Sequence, residues 1–250
     1  MMSIFRDTFT ETPPDKDLED HVPDIGTSWT ELWATTPGVG WDVESKFDTA
    51  VGHGVGAPAA GAIYTADVVY QSANYSIATT LLALVDNSID DRPMYLFVRV
   101  QDVDNLYAVR LCNVPGSTLC RLYKKMAGVW TALGSAFDSP ANGSIIELSI
   151  VGSDLEFYED GALLASAIVT DIAIAGKAGL GIGGGIELVQ PTDSIVGHQI
   201  DSFSIESILA PYVFPDCTTL WRILAMLPLL PDPSGYHRPS EPTGVLWEME

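Results

Sequence analysis

The stretch Leu106–Ile208 constrains this chain more than any other part of it. The segments LYAVRLCNV, TLCRLYKK, GVWTALG, SIIELSIVG, DLEFYEDGALLAS, AGKAGLGIGG and HQIDSFSIES follow one another, each bounded by Gly, Pro, Asn, Asp or Ser. Each alternates apolar and polar residues or runs briefly apolar, and side chains on a strand point to opposite faces in turn. Such segments bury one face and wet the other, the behaviour of antiparallel sheets. The expected fold is therefore an all-β antiparallel sandwich.

Upstream, the same pattern predicts strands at Ile4–Thr10, Trp29–Trp33, Trp41–Asp48, Ala62–Tyr70, Tyr75–Leu84 and Met94–Gln101. The acid- and proline-rich Glu11–Gly26 is expected to lack regular structure, and Gly52–Gly61 to form a small-residue loop. In YLFVRVQ, alternation places Tyr95, Phe97 and Arg99 on one face and Leu96, Val98 and Val100 on the other. The DVDN turn at Asp102–Asn105 leads into a strand over Tyr107–Asn113. Asp160–Gly161 sits between two alternating runs and predicts a tight hairpin, because a type I′ turn needs positive φ at both central residues.

After Ile208 the alternation stops and prolines crowd in at 211, 215, 228, 231, 233, 239 and 242. The division expected is a sandwich over 1–208 and an arm over 209–250. Thr218–Leu227 fits a short helix whose apolar residues Leu220, Trp221, Ile223, Leu224 and Leu227 would serve for docking. The arm either packs back on its own sandwich or inserts into a neighbouring subunit. Docking is the expectation carried forward, and with it protein partners and a homo-oligomer.

Hydrophobic residues make up 47% of the chain and charged residues 18%, enough apolar material for a true core. Thirty-three acidic residues against 12 basic ones leave a formal charge of −21. That balance argues against nucleic acid and against anionic membrane surfaces as partners. Met1–Phe9 shows no secretory pattern, and no run of apolar residues is long enough for a membrane helix, so synthesis in the cytoplasm is expected. Cys112 and Cys120 lie symmetrically about Gly116 in a predicted hairpin, where they are either a cross-strand disulfide or two reduced core thiols.

DTFTE, then HVPDIGTSW, then DNLYAVRL, LYKKMAGVWTALG, LEFYEDGALLAS and AGKAGLGIGG together resemble the jelly rolls of the concanavalin A-like lectin/glucanase superfamily, including LamG-like modules of bacterial and phage proteins. The resemblance covers Ile4–Ile208. It implies that an early D-x-F strand, Asp7–Phe9, pairs with a late one, Asp201–Phe203. Glycosidases of this superfamily carry a Glu-x-Asp-x-x-Glu run in a strand, and this chain has none. Glu156 and Glu159–Asp160 come nearest, at a hairpin end. The four histidines, His21, His53, His198 and His237, accompany no nucleophile elbow, so no catalytic residues are expected.

Glycan binding would draw on aromatic rings and planar polar groups, for which Tyr95, Arg99, Tyr107 and Arg110 are the candidates, with Trp29, Trp33 and Trp130. Asp102, Asp104 and Asn105 gather oxygen donors suited to calcium, as do Asp86, Asn87, Asp90 and Asp91; ordinary turn formation by Asx residues is the favoured explanation of both groups. Calcium is thus the one cofactor weighed. The leading expectation is a non-enzymatic accessory protein of a large assembly, a bacteriophage virion, whose lectin-like domain adheres to cell-surface glycans. The alternative is a stand-alone carbohydrate-binding module, with a diverged glycoside hydrolase behind it.

Overall fold

A computed structural model describes residues 2–11, 13, 16–34, 40–44, 49–53, 61–68, 73–84, 93–113, 120–183 and 198–208, all within the compact unit Met1–Ala210. The strands, in chain order, are β1 Met2–Asp7, β2 Lys16–Asp17, β3 Ser28–Ala34, β4 Gly40–Glu44, β5 Thr49–His53, β6 Gly61–Asp67, β7 Tyr75–Ala83 and β8 Met94–Asp102. They continue as β9 Asn105–Leu111, β10 Cys120–Met126, β11 Val129–Phe137, β12 Ile145–Val151, β13 Asp154–Glu159, β14 Ala162–Ile168, β15 Lys177–Gly183 and β16 His198–Ser207.

These strands form two antiparallel sheets, as the alternation predicted. A nine-stranded sheet runs β14-β13-β12-β7-β16-β5-β4-β2, with β1 also pairing to β16. A seven-stranded sheet runs β11-β10-β9-β8-β15-β6-β3. Between them lies the main core, to which β7 and β12 contribute Ile77, Leu81, Ile146, Leu148 and Ile150, and β8 and β9 contribute Leu96, Val98, Val109 and Leu111.

The two D-x-F segments meet as expected: Asp7 of β1 stands opposite Phe203 of β16. Phe5 meets Trp29 edge to face and Phe203 meets it at a tilt, the Trp29 ring centroid lying 5.0 Å from each. Asp7 shares the inward side with Phe5 and Phe9 and is 1% exposed. A buried carboxylate is tolerable only when its oxygens are satisfied. Here Oδ1 accepts the Phe9 backbone N–H at 2.8 Å, and Oδ2 accepts the Trp29 indole N–H at 2.7 Å.

Two of the tight hairpins have positive φ at both central residues. Asp160 and Gly161 have φ of 48° and 78°, and Ala127 and Gly128 have 48° and 81°. Each pair lies between directly opposed residues, Glu159 with Ala162 and Met126 with Val129. Two sequence expectations are corrected. Glu11–Gly26 contains the short β2 and a single 3-10 turn over Leu18–Asp20. Thr49–His53 is a full strand that runs into the expected small-residue loop, because its register with β4 and β16 supplies what its weak side-chain pattern did not. Cys112 and Cys120 are buried free thiols, and the Cys120 sulfur bonds to the Cys112 main chain. The proposed arm over 209–250, with Leu220, Trp221, Ile223, Leu224 and Leu227, lies outside the described residues.

Candidate functional site

The outer face of the seven-stranded sheet, turned away from the main core, carries a second hydrophobic cluster of Ile63, Phe97, Val100, Leu106 and Ala108, packed against Leu32 and Tyr95. β15 makes room for it. A Cβ on Gly181 would sit 2.4 Å from the Phe97 ring, so only glycine lets that ring lie across the strand. From Phe97 the aromatic contacts continue outward. Tyr95 stacks on Phe97 with centroids 5.6 Å apart and on Trp130 at 5.7 Å. Tyr123 meets Trp130 edge to face at 6.1 Å.

The Tyr95–Trp130 contact reveals the shape of the sheet. β8 and β11 are separated by β9 and β10, which in a flat sheet would place them about 14 Å apart at the usual strand spacing. Ring contact over that separation requires the sheet to curl toward this face. The floor is closed, with Phe97 1% exposed, whereas Trp130 on β11 and Trp33 on β3 are each 41% exposed. The face is therefore a concave surface with an accessible tryptophan on either flank.

Polar groups line the same surface. Arg110 stands directly opposite Tyr95, and Arg121 directly opposite Arg110. Lys125 is opposite both Leu106 and Trp130, and its ammonium lies 5.6 Å from the Trp130 ring centroid. The signal for these residues was present in RLYKK, where Arg121, Tyr123 and Lys125 alternate, but it was read there only as a strand.

Of the residues the sequence nominated for a ligand, Tyr95, Arg110, Trp33 and Trp130 occupy this face, and three others do not. Arg99 is corrected: it has φ of 49°, the β8–β9 register shifts between Val98 and Asp102, and its side chain turns inward. Only 1% exposed, it donates to the carbonyls of Ile172 at 2.8 Å, Ala73 at 2.8 Å and Gly152 at 2.7 Å. Burial holds its pKa below the usual arginine value. Tyr107 is corrected too, because it faces the main core and its hydroxyl accepts the Ile172 backbone N–H at 2.7 Å. Trp29 belongs to the core around Asp7.

The calcium candidates are corrected on their chemistry. The Asp102 carboxylate accepts the Asp104 N–H at 2.8 Å and the Asn105 side-chain amide at 2.9 Å, closing an Asx turn. Asn105 Oδ1 accepts the Ala127 N–H, and Asp104 pairs with Lys125 at 3.3 Å. These donors are committed to the two hairpins and do not fit a calcium site. Among the described residues no cluster of three or more His, Cys, Asp or Glu could hold a metal ion. Asp86, Asn87, Asp90 and Asp91 lie outside the described residues. Glu159 and Asp160 fasten their hairpin by accepting the N–H groups of Ala141 and Ile145.

One polar cluster had no forewarning in the sequence. His21, buried, places Nε2 2.9 Å from Asp7 Oδ1 and Nδ1 3.1 Å from Glu11 Oε2, and Lys16 pairs with the same Glu11 oxygen at 2.9 Å. It locks the segment between β1 and β3 onto the sandwich.

No protein-family model matches this chain, and no curated protein does. Solved structures do. A glycosyl hydrolase family protein from Mycobacterium fortuitum is 11% identical with a TM-score of 0.50, over 82% of this chain and 100% of its own. The GH43B protein of a Bacteroides ovatus xyloglucan locus is 15% identical with a TM-score of 0.51, over 83% of this chain and 40% of its own. The carbohydrate-binding module CBM66 from Bacillus subtilis is 12% identical with a TM-score of 0.42, over 72% and 92%. The fold is an all-β jelly-roll sandwich of two antiparallel sheets, the architecture to which the sequence pattern pointed.

Proposed function

We propose that this domain is a non-catalytic carbohydrate-binding module whose ligand lies in the concave outer face of the seven-stranded sheet. The observation that carries the reading is the Tyr95–Trp130 stack on a curled sheet, with Trp33 exposed on the opposite flank. Sugar rings present C–H faces that pack on aromatic planes, and half-exposed indoles offer such planes at little conformational cost. Binding is preferred to hydrolysis because glycosidases use two carboxyl groups flanking the scissile bond. On the outward strand positions described, the carboxylate is Asp67, which is held by Lys177, Thr30 and Ser28.

The test is affinity electrophoresis of the full chain through gels containing different polysaccharides. Retardation by at least one polymer, lost on Trp130→Ala, supports the reading. A folded protein that no polysaccharide retards overturns it.

Attachment to a larger assembly is a further part of the proposal, supported by the apolar, proline-rich sequence of 209–250. Light scattering of the full chain against a chain ending at Ile208 tests it. Oligomers that dissolve on truncation support an attachment role, and a monomer in both cases removes it.

A further inference from the structure

We infer that the concave face takes the interior of a neutral polysaccharide chain laid across the strands from one tryptophan flank to the other; this rests on the reading that the face binds glycans. The two half-exposed indoles stand on the outermost strands of the sheet, Trp33 on β3 and Trp130 on β11. Six strand intervals separate those strands, about 29 Å along the surface at the usual spacing. An extended sugar chain advances by about 5 Å per ring, close to one strand interval, so about six sugars span the face. A di- or trisaccharide would reach one indole and leave the other bare.

An apolar strip joins the two flanks. Trp33 stands directly opposite Ile63, Ile63 opposite Gly181, and Gly181 opposite Tyr95, which stacks on Trp130. The rings along this strip rest over glycines. An added Cβ would lie 3.4 Å from the Trp33 ring at Gly61, 2.4 Å from the Phe97 ring at Gly181 and 3.1 Å from the Tyr95 ring at Gly183. The plane of Tyr95 lies 11° from that of Phe97 and 25° from that of Trp130. Sugar C–H faces pack on such a run of near-parallel rings, each sugar adding its own contact. Because the sheet curls toward this face, the path is bowed. The flat surface of a crystalline polymer could not touch both flanks.

Charge favours a neutral polymer. Lys125 pairs with Asp104 at 3.3 Å and Lys177 pairs with Asp67, while the Arg121 guanidinium is held by the main-chain carbonyls of Leu133 and Gly134. The chain carries −21 overall. An acidic polymer meets that repulsion, and the two lysines of the face already have their counter-charges.

The experiment is isothermal titration calorimetry of the full chain with cello-, laminari-, manno- and xylo-oligosaccharides of two to eight sugars. Affinity electrophoresis accompanies it, in gels of hydroxyethylcellulose, laminarin, galactomannan, arabinoxylan or polygalacturonate. In one neutral series, affinity should climb at least tenfold between trisaccharide and hexasaccharide and then level off, because the second indole is engaged by a ligand already bound to the first. Trp33→Ala and Trp130→Ala should each abolish that climb. Trp33→Phe, which keeps a ring, should retain most of it, with circular dichroism confirming the fold of each variant. A trisaccharide bound as tightly as the octasaccharide overturns this inference and leaves the glycan reading standing. So does a climb unchanged in Trp33→Ala, polymer retardation without any dependence on chain length, or stronger retardation by polygalacturonate than by every neutral polymer. No retardation by any polymer, with no heat from any oligosaccharide, overturns both.

Discussion

His21 Nε2 lies 2.9 Å from Asp7 Oδ1, with both side chains buried. Burial by itself would lower the imidazole pKa. The hydrogen bond and charge of Asp7, then those of Glu11, outweigh it and hold His21 above the ordinary 6.5. Both ring nitrogens face carboxylate oxygens, so the doubly protonated imidazolium can donate to each.

A pH dependence follows from that pairing. Because the folded pKa is raised, the protonated state binds its proton more tightly folded than unfolded. Its contribution to stability is fully present below pH 6.5 and is lost as pH climbs through the elevated folded value. Urea unfolding across pH 5 to 9 should show wild type losing stability over that upper range relative to His21→Gln. Parallel profiles for the two proteins would refute the coupling.

Removing the other partner is expected to be severe. Asp7→Asn leaves an imidazolium buried without its main counter-charge and weakens the acceptor for the Trp29 indole. Breaking a buried pair from one side costs about 3–5 kcal/mol. The urea midpoint at pH 6 is the measurement, and a loss under about 1 kcal/mol would show the cluster to be dispensable.

Arg99→Met should destabilise the fold by about 1–3 kcal/mol, since it leaves the buried Ile172 carbonyl without its donor and removes the tie to the partly exposed carbonyls of Ala73 and Gly152. Whatever fraction folds should bind polysaccharide as wild type does. A variant of normal stability that has lost binding would return Arg99 to the ligand face.

Gly181→Val tests the floor of the concave face. A β-branched side chain there must displace the Phe97 ring, whose nearest atom is 2.4 Å from the added Cβ. Overpacking of this kind costs about 1–3 kcal/mol, and the shifted ring should also change Tyr95–Trp130 stacking, read by near-ultraviolet circular dichroism.

Trp130→Ala separates the ligand surface from the core. Its side chain is 41% exposed on an edge strand, so stability should change by no more than roughly 1 kcal/mol. Affinity for the retarding polysaccharide should fall about tenfold, equivalent to about 1.4 kcal/mol. Large destabilisation with intact binding would place the ring in a structural role instead.

The sequence by itself determined the strands, their antiparallel character and the hairpin at Asp160–Gly161, because period-two alternation and positive-φ turn residues are local properties of the chain. The resemblance of its two D-x-F segments to those of known jelly rolls also anticipated the pairing of Asp7 with the Phe203 strand. The sequence nominated Tyr95 and Arg110 for one surface, and the β8–β9 register sets them directly opposite each other. Only the tertiary structure decided the rest. The positive φ at Arg99 reverses which face the following residues present, so a residue assigned by parity to the ligand surface became an inter-sheet tie. The strand at Thr49–His53 drew its structure from its partners. His21, Glu11 and Asp7 are scattered in a loop and a strand end, and no spacing rule joins them. The charge pattern of the concave face likewise emerged only when β9, β10 and β11 were set in register, because a face is a property of neighbouring strands and not of any one of them.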